Sequence, residues 1–385
     1  MEDIIGYVER WGGVPLAERP LGEADALVLS TLAYMPFDGI VGGEFASQGV
    51  ELRDAARALL RCHACARVAR DTAERDRRLL AAVAESARFG KMQLVGFVDR
   101  YDREEQEQFS AVTFLFGGEV LLAFRGTDGT IVGWKEDFNM SFEREVPAQR
   151  DAVQYAQQAR RELGREMTLA GHSKGGNLAA YAGLFADGET RAHMRAVYSF
   201  DGPGFNEQIA STNAFSREGT DIRTFVPRES IVGILLWHSE PFEIVVSDGQ
   251  GILQHDPYTW MTDRGRLVRA ETMSGQSLYM GAVVKRWLAQ MPAQTRRRAI
   301  DGLYAVIGAT RERSLRELLD VPSALAILEA AVQMDGETRR ALEQMLGLLI
   351  ESAAEAAPRA IERAAASALA EAGDEWAGVA RTAAE

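Results

Sequence analysis

Apolar positions change their period twice along this chain. Residues 24–36 (ADALVLSTLAYMP) form a short apolar run that predicts a helix stopped at Pro36. Over 51–88, Leu52, Ala55, Leu59, Cys62 and Ala66 recur at i, i+3/i+4 spacing and predict paired helices with one apolar face. From residue 92 the period shortens. Residues 92–98 (MQLVGFV), 109–116 (FSAVTFLF) and 119–124 (EVLLAF) read as strands, the last two joined by a hairpin at Gly117-Gly118. An amphipathic helix over 150–163, a short strand over 167–170 and a helix over 175–186 follow, then strands over 195–200, 222–226 and 243–247. Alternation of strand and helix from about 110 to 260 predicts an α/β fold: a mainly parallel sheet flanked by helices, with its site at the carboxyl ends of strands. Beyond about residue 276 the pattern is helical, and 352–385 is rich in Ala and Glu, interrupted by Pro358 and Gly373. No internal repeat is present.

Composition narrows the function classes. Lys+Arg is 43 against Asp+Glu 56, a net charge of −13, so the average field repels nucleic acid and anionic membranes. Two cysteines, Cys62 and Cys65, argue against a disulfide-built secreted protein. The start, MEDIIGYVERWGG, lacks the basic head and apolar run of a signal peptide. No window approaches the roughly 18 apolar residues of a spanning helix. The expectation is a cytoplasmic protein without a transmembrane segment. Cys62-His63-Ala64-Cys65 has no second ligand pair to complete a zinc site and lies on an apolar helix face, so it reads as core. The cluster Arg75, Arg77, Arg78, interleaved with acidic residues, reads as a solvated helix face.

Residues 167–182 (MTLAGHSKGGNLAAYA) carry the chemistry. An apolar strand enters Gly171-His172-Ser173-Lys174-Gly175 and a small-residue helix leaves it, which is a G-x-S-x-G nucleophile elbow in its required context. The serine needs unfavourable backbone angles, and side chains two positions before and after it would collide with neighbouring elements. The turn also puts the Lys174 amide at a helix start, where it can stabilise an oxyanion. The bland alternative is a Gly-rich turn with a solvated serine. Directly after strand 119–124, Phe124-Arg125-Gly126-Thr127-Asp128 is placed to supply the second oxyanion donor, with Thr127 offering an N–H and a hydroxyl; its alternative is a self-capped turn. The segment 130–138 (TIVGWKEDF), with Trp134 amid polar residues, can cover the site. Among five histidines, His255 leads as the base because it lies on a loop after the last strands; His63, His172, His193 and His238 are less well placed.

The blocks FRGTDGTIVGWKEDFNMSF, AGHSKGGNLAAYA, FDGPGF, SIVGILLWH and QHDPYTW together resemble the Mbeg1-like family, itself similar to class 3 (fungal-type) lipases of the α/β-hydrolase superfamily. The resemblance spans about 24–275. It implies Ser173 as nucleophile, His255 as base, Thr127 and the Lys174 amide as the oxyanion hole, and His238 as a structural histidine. One departure stands out: class 3 lipases carry the triad aspartate in a D-x-V-P block, where this chain has Glu229-Ser230-Ile231-Val232-Gly233, with Ser230 at the aspartate position. Asp201, at the end of strand 195–200, and Glu229 are the candidates for the acid, Asp201 favoured.

The expectation is therefore an α/β-hydrolase domain over 1–275, helical over its first 90 residues, and a helical extension over 276–385. It would cleave a carboxylic ester, of a small molecule or a lipid, through a Ser-His-acid triad and an acyl-enzyme, without metal or cofactor. The alternative is a catalytically weak or inactive hydrolase-fold scaffold that binds a lipid or protein partner. The Ala-rich tail can fold back on the domain or pair with a partner helix, including that of a second copy, and both remain open.

Overall fold

The strands alternate their two apolar faces because both are covered, and this sets the architecture of the chain, seen here in a computed structural model that describes residues 1–61, 73–128, 130–216, 221–308, 334–345 and 347–348. Two N-terminal helices, α1 (Ile4–Trp11) and α2 (Glu23–Leu32), precede a two-residue strand β1 (Val50–Glu51) and the pair α3 (Leu52–Arg61) and α4 (Ala73–Glu85). The sheet continues with β2 (Gln93–Asp102), β3 (Glu107–Phe116) and β4 (Glu119–Phe124). Then come α5 (Ile131–Asn139), α6 (Pro147–Leu163), β5 (Glu166–His172), α7 (Lys174–Phe185), α8 (Gly188–Ala192), β6 (Met194–Phe200), α9 (Glu207–Ala210), β7 (Ile222–Pro227) and β8 (Phe242–Val245). A small hairpin of β9 (Thr262–Asp263) and β10 (Arg266–Leu267) leads to α10 (Gly275–Gln290) and α11 (Ala293–Gly308).

β1 to β8 form one sheet in sequential order. The first four strands pair antiparallel and β4 to β8 pair parallel. In β4, Val120, Leu122 and Phe124 point to the face covered by α6 and α7, while Leu121 and Ala123 point to the face covered by α1 to α4. That double covering explains why these strands read as nearly continuous apolar runs. The period-2 reading found β4 to the residue; β3 begins two residues before the stretch read as strand, at Glu107, and β2 extends past residue 98, because its polar end, Asp99 to Asp102, pairs with Glu107 to Ser110.

Two helices that the sequence reading did not place bear on the core and the site. α1 was not foreseen; it is a short helix capped by Asp3, whose carboxylate accepts from the Gly6 amide. α5 forms within what reads as a polar covering segment, started by Thr130, whose hydroxyl accepts from the Gly133 amide. α10 and α11 pack on it and its flanks, Ile300 and Tyr304 against Ile131, and Leu288 against Met140, Val146 and Leu236. The C-x-x-C at Cys62 and Cys65 and the tail at 352–385 lie outside the described residues. Among the described residues no helix is long and apolar enough to cross a membrane.

Candidate active site

At the junction of β5 and α7, Ser173 has φ 58° and ψ −134°, a conformation a side chain rarely tolerates. Close packing imposes it. A Cβ at Gly171 would stand 2.1 Å from the Gly175 carbonyl oxygen, and one at Gly175 would stand 2.1 Å from the Phe124 carbonyl oxygen. Both glycines are therefore required by contact. The Ser173 amide donates to the Phe200 carbonyl (2.9 Å), which ties the turn to the end of β6. Its side chain does not cap α7 and is partly exposed.

His255 ends a 3₁₀ turn (Gly251–His255) beyond β8. Its Nδ1 lies 2.6 Å from Asp201 Oδ2, so the Nδ1–H donates to the carboxylate and Nε2 is the nitrogen left as a base. Asp201 follows β6 with φ 48° and is fully buried. Its other oxygen accepts from the Ser230 hydroxyl (2.5 Å) and the Gly233 amide (3.0 Å). A Cβ at Gly233 would stand 2.2 Å from that oxygen, so only glycine lets the amide approach. Ser230 thus supports a carboxylate rather than replacing one. Glu229 does not meet His255: its Oε2 accepts from the Gly251 amide (2.5 Å), and its own amide donates to Gln254 Oε1 (2.8 Å). It holds the loop.

His172, set aside in the sequence reading, contributes here. Its ring lies 4.6 Å from that of His255, and its Nε2 donates to the His255 carbonyl (2.7 Å). That fixes the tautomer, so Nδ1 accepts from the Tyr34 hydroxyl (3.1 Å). His238 pairs with Glu240 (2.8 Å), and His193 with Glu166 at the start of β5 (2.7 Å).

The Arg125-Gly126-Thr127 loop lies against the serine turn, since a Cβ at Gly126 would stand 3.0 Å from Ser173 Cβ and 2.7 Å from the His172 carbonyl oxygen. Arg125 anchors it through two bonds to Asp99 (2.8 and 3.0 Å). The Thr127 hydroxyl donates to Asp137 Oδ2 on α5 (2.6 Å), so the hydroxyl is already committed to a carboxylate. Asp137 Oδ1 is buried and unpartnered. Burial pushes this carboxyl up to about 6, opposed by the Lys174 charge, the Thr127 hydroxyl and His255, and reinforced by Glu136.

Lys174 sends its side chain away from the turn into the protein. Its ammonium, 1% exposed, donates to the Gln108 carbonyl (2.8 Å), Gln108 Oε1 (2.9 Å) and Glu136 Oε2 (2.9 Å). Glu136 also accepts from the Ala148 amide (2.9 Å) and the Gln108 amide (3.1 Å). A buried charge is thereby fully partnered, and it ties α7 to α5 and β3. The Lys174 amide remains in the first turn of α7, where helix N–H groups lack intrahelical partners.

A mainly parallel sheet covered by helices on both faces, with a strained serine turn between strand and helix and an imidazole–carboxylate pair on loops beyond later strands, is the architecture of the α/β-hydrolases. Residues 83–305, more than half of the chain, match the Mbeg1-like family, and the chain belongs to it. No curated protein matches the sequence. Among solved structures, the chain is similar to Lip2 lipase from Yarrowia lipolytica, with 13% identity over 43% of this chain and 68% of the lipase at a TM-score of 0.27. It is also similar to M37 lipase, with 13% identity over 54% of this chain and 68% of that one at a TM-score of 0.30.

Proposed function

We propose that this chain is a serine hydrolase that cleaves a carboxylic ester. The observation that carries the reading is the Asp201–His255 bond of 2.6 Å beside a serine held at φ 58°. Asp201 keeps the Nδ1–H tautomer, so His255 Nε2 takes the proton of Ser173 as its oxygen attacks the ester carbonyl. The amides of Thr127 and Lys174 stabilise the oxyanion; losing one such donor costs on the order of 3 kcal/mol of barrier. His255 then protonates the departing alcohol, and water cleaves the acyl-enzyme by the same steps in reverse order of proton transfer. The acyl acceptor is water and the substrate a small-molecule or lipid ester.

A fluorophosphonate probe and a short p-nitrophenyl ester test this together. The expected result is Ser173-specific labelling and a fall in turnover of about 10⁴-fold or more for Ser173→Ala. Undiminished turnover by Ser173→Ala, or a native protein inert to both reagents, ends the proposal; the second outcome would favour a binding scaffold on the same fold.

A further inference from the structure

We propose that Arg75 and Asp76, at the start of α4, are positioning residues that clamp the His255 loop so that its imidazole stays aligned on Asp201. The proposal rests on the reading of Ser173 and His255 given above. His255 sits on a short 3₁₀ turn with no sheet partner of its own, yet proton transfer tolerates only about half an ångström of misplacement. The residues that follow it are gripped from α4. Arg75 Nη2 lies 2.5 Å from Asp256 Oδ2, and the guanidinium stands 5.1 Å over the Tyr258 ring. The Tyr258 hydroxyl donates to Asp76 Oδ1 (2.7 Å), with both residues buried. Asp256 Oδ1 accepts from the Tyr258 amide (3.1 Å), which closes the ring of contacts. On the other side of the imidazole, Trp260 Nε1 donates to the Gln254 carbonyl (2.8 Å) and His172 Nε2 to the His255 carbonyl. The carbonyls of 254, 255, 256 and 257 and the amides of 256 and 258 are therefore all bonded, and α4 adds holds on the side chains of Asp256 and Tyr258.

This gives the N-terminal helical layer a part in the site. Arg75 and Asp76 precede the residues matched to the family, and Asp76 reaches Tyr258 across 182 positions of sequence. Arg75, read from sequence as part of a solvated helix face, is only 35% exposed in its side chain and meets a carboxylate adjacent to the base. An ion pair that exposed contributes little to global stability, so its loss separates alignment from folding.

The test uses the full chain. Arg75→Ala should lower kcat for p-nitrophenyl butyrate about tenfold, with KM within twofold of native, and Arg75→Lys should recover most of the loss. The low-field proton NMR signal of the His255 Nδ1–H, assigned by its disappearance in Asp201→Asn, should be sharp in the native chain and broadened in Arg75→Ala/Tyr258→Phe. A sharp signal or a native kcat in that double variant overturns the proposal. If Ser173→Ala proves as active as native, or the native chain inactive, the hydrolase reading fails, and the proton signal alone decides whether α4 aligns the imidazole.

Discussion

Two carboxylates flank the strained serine turn, and they are buried on opposite terms. Asp201 has both oxygens engaged, one by the imidazole and one by Ser230 and the Gly233 amide. Asp137 has one oxygen on the Thr127 hydroxyl and the other sealed in without a partner. The first arrangement stabilises a fixed negative charge and aims it at one nitrogen. The second penalises the charge it holds, and the protein keeps it nonetheless. A satisfied buried carboxylate orients a base; a frustrated one restrains a threonine at a cost in stability. Stability and function should therefore respond together at Asp201 and in opposite directions at Asp137.

The largest effect should come from Asp201→Asn. The amide cannot hold the Nδ1–H tautomer, and kcat should fall by about 10⁴-fold with KM little changed. Steady-state kinetics on the purified variant check it. A loss below tenfold would show that His255 takes its orientation elsewhere and would dissolve the contrast between the two carboxylates.

Ser230→Ala should act next in size. It removes one donor from a buried charge and leaves Asp201 Oδ1 with the Gly233 amide alone, which costs about 1–3 kcal/mol of stability. The imidazole bond survives, so kcat should fall only on the order of tenfold. Urea unfolding and kinetics on the same preparation measure both. A variant with native stability would mean that Ser230 is incidental to the acid.

This pair also shows what could be read from sequence. The serine turn was legible because its glycines are dictated by contacts within a few residues, and local contacts leave local patterns. Ser230 stood out as a departure from the lipase pattern, but its meaning depended on Asp201, 29 positions away and brought near only by the parallel pairing of β6 and β7. Glu229 and Asp201 were equal in type, and only the direction of each side chain separates them. Lys174 gave no sign of its buried partner, because Glu136 lies on α5, a helix whose Gly133 and β-branched start hide its period. His172 was dismissed for pointing away from Ser173; it does, and thereby reaches the His255 backbone. Long-range polar pairings have no periodicity, so pattern analysis finds the elements that carry them and not the pairs.

Asp137→Asn gives the smallest effect and the sharpest test. The carboxyl of Asp137 is raised from the ordinary 3.8 to about 6, so the folded chain binds its proton more tightly than the unfolded chain does. Stability from this group is therefore fully present below pH 3.8, declines as pH rises through 6, and stays lost above it. At about 1.4 kcal/mol per pH unit between those values, the penalty at pH 8 is at most about 3 kcal/mol, and solvent access to the partly exposed residue reduces it. Asparagine is neutral throughout and can still accept from the Thr127 hydroxyl. Asp137→Asn should thus exceed native stability at pH 8 by about 1–2 kcal/mol and converge on it near pH 4, as read from urea midpoints at both values. Its turnover should move the other way: a neutral amide restrains Thr127 less firmly than a charged acceptor, so the ratio of native to variant kcat should be greatest above pH 6 and shrink toward one below it. An equal stability gap at both pH values would show that the unpartnered oxygen carries no penalty, and Asp137 would then differ from Asp201 in position alone.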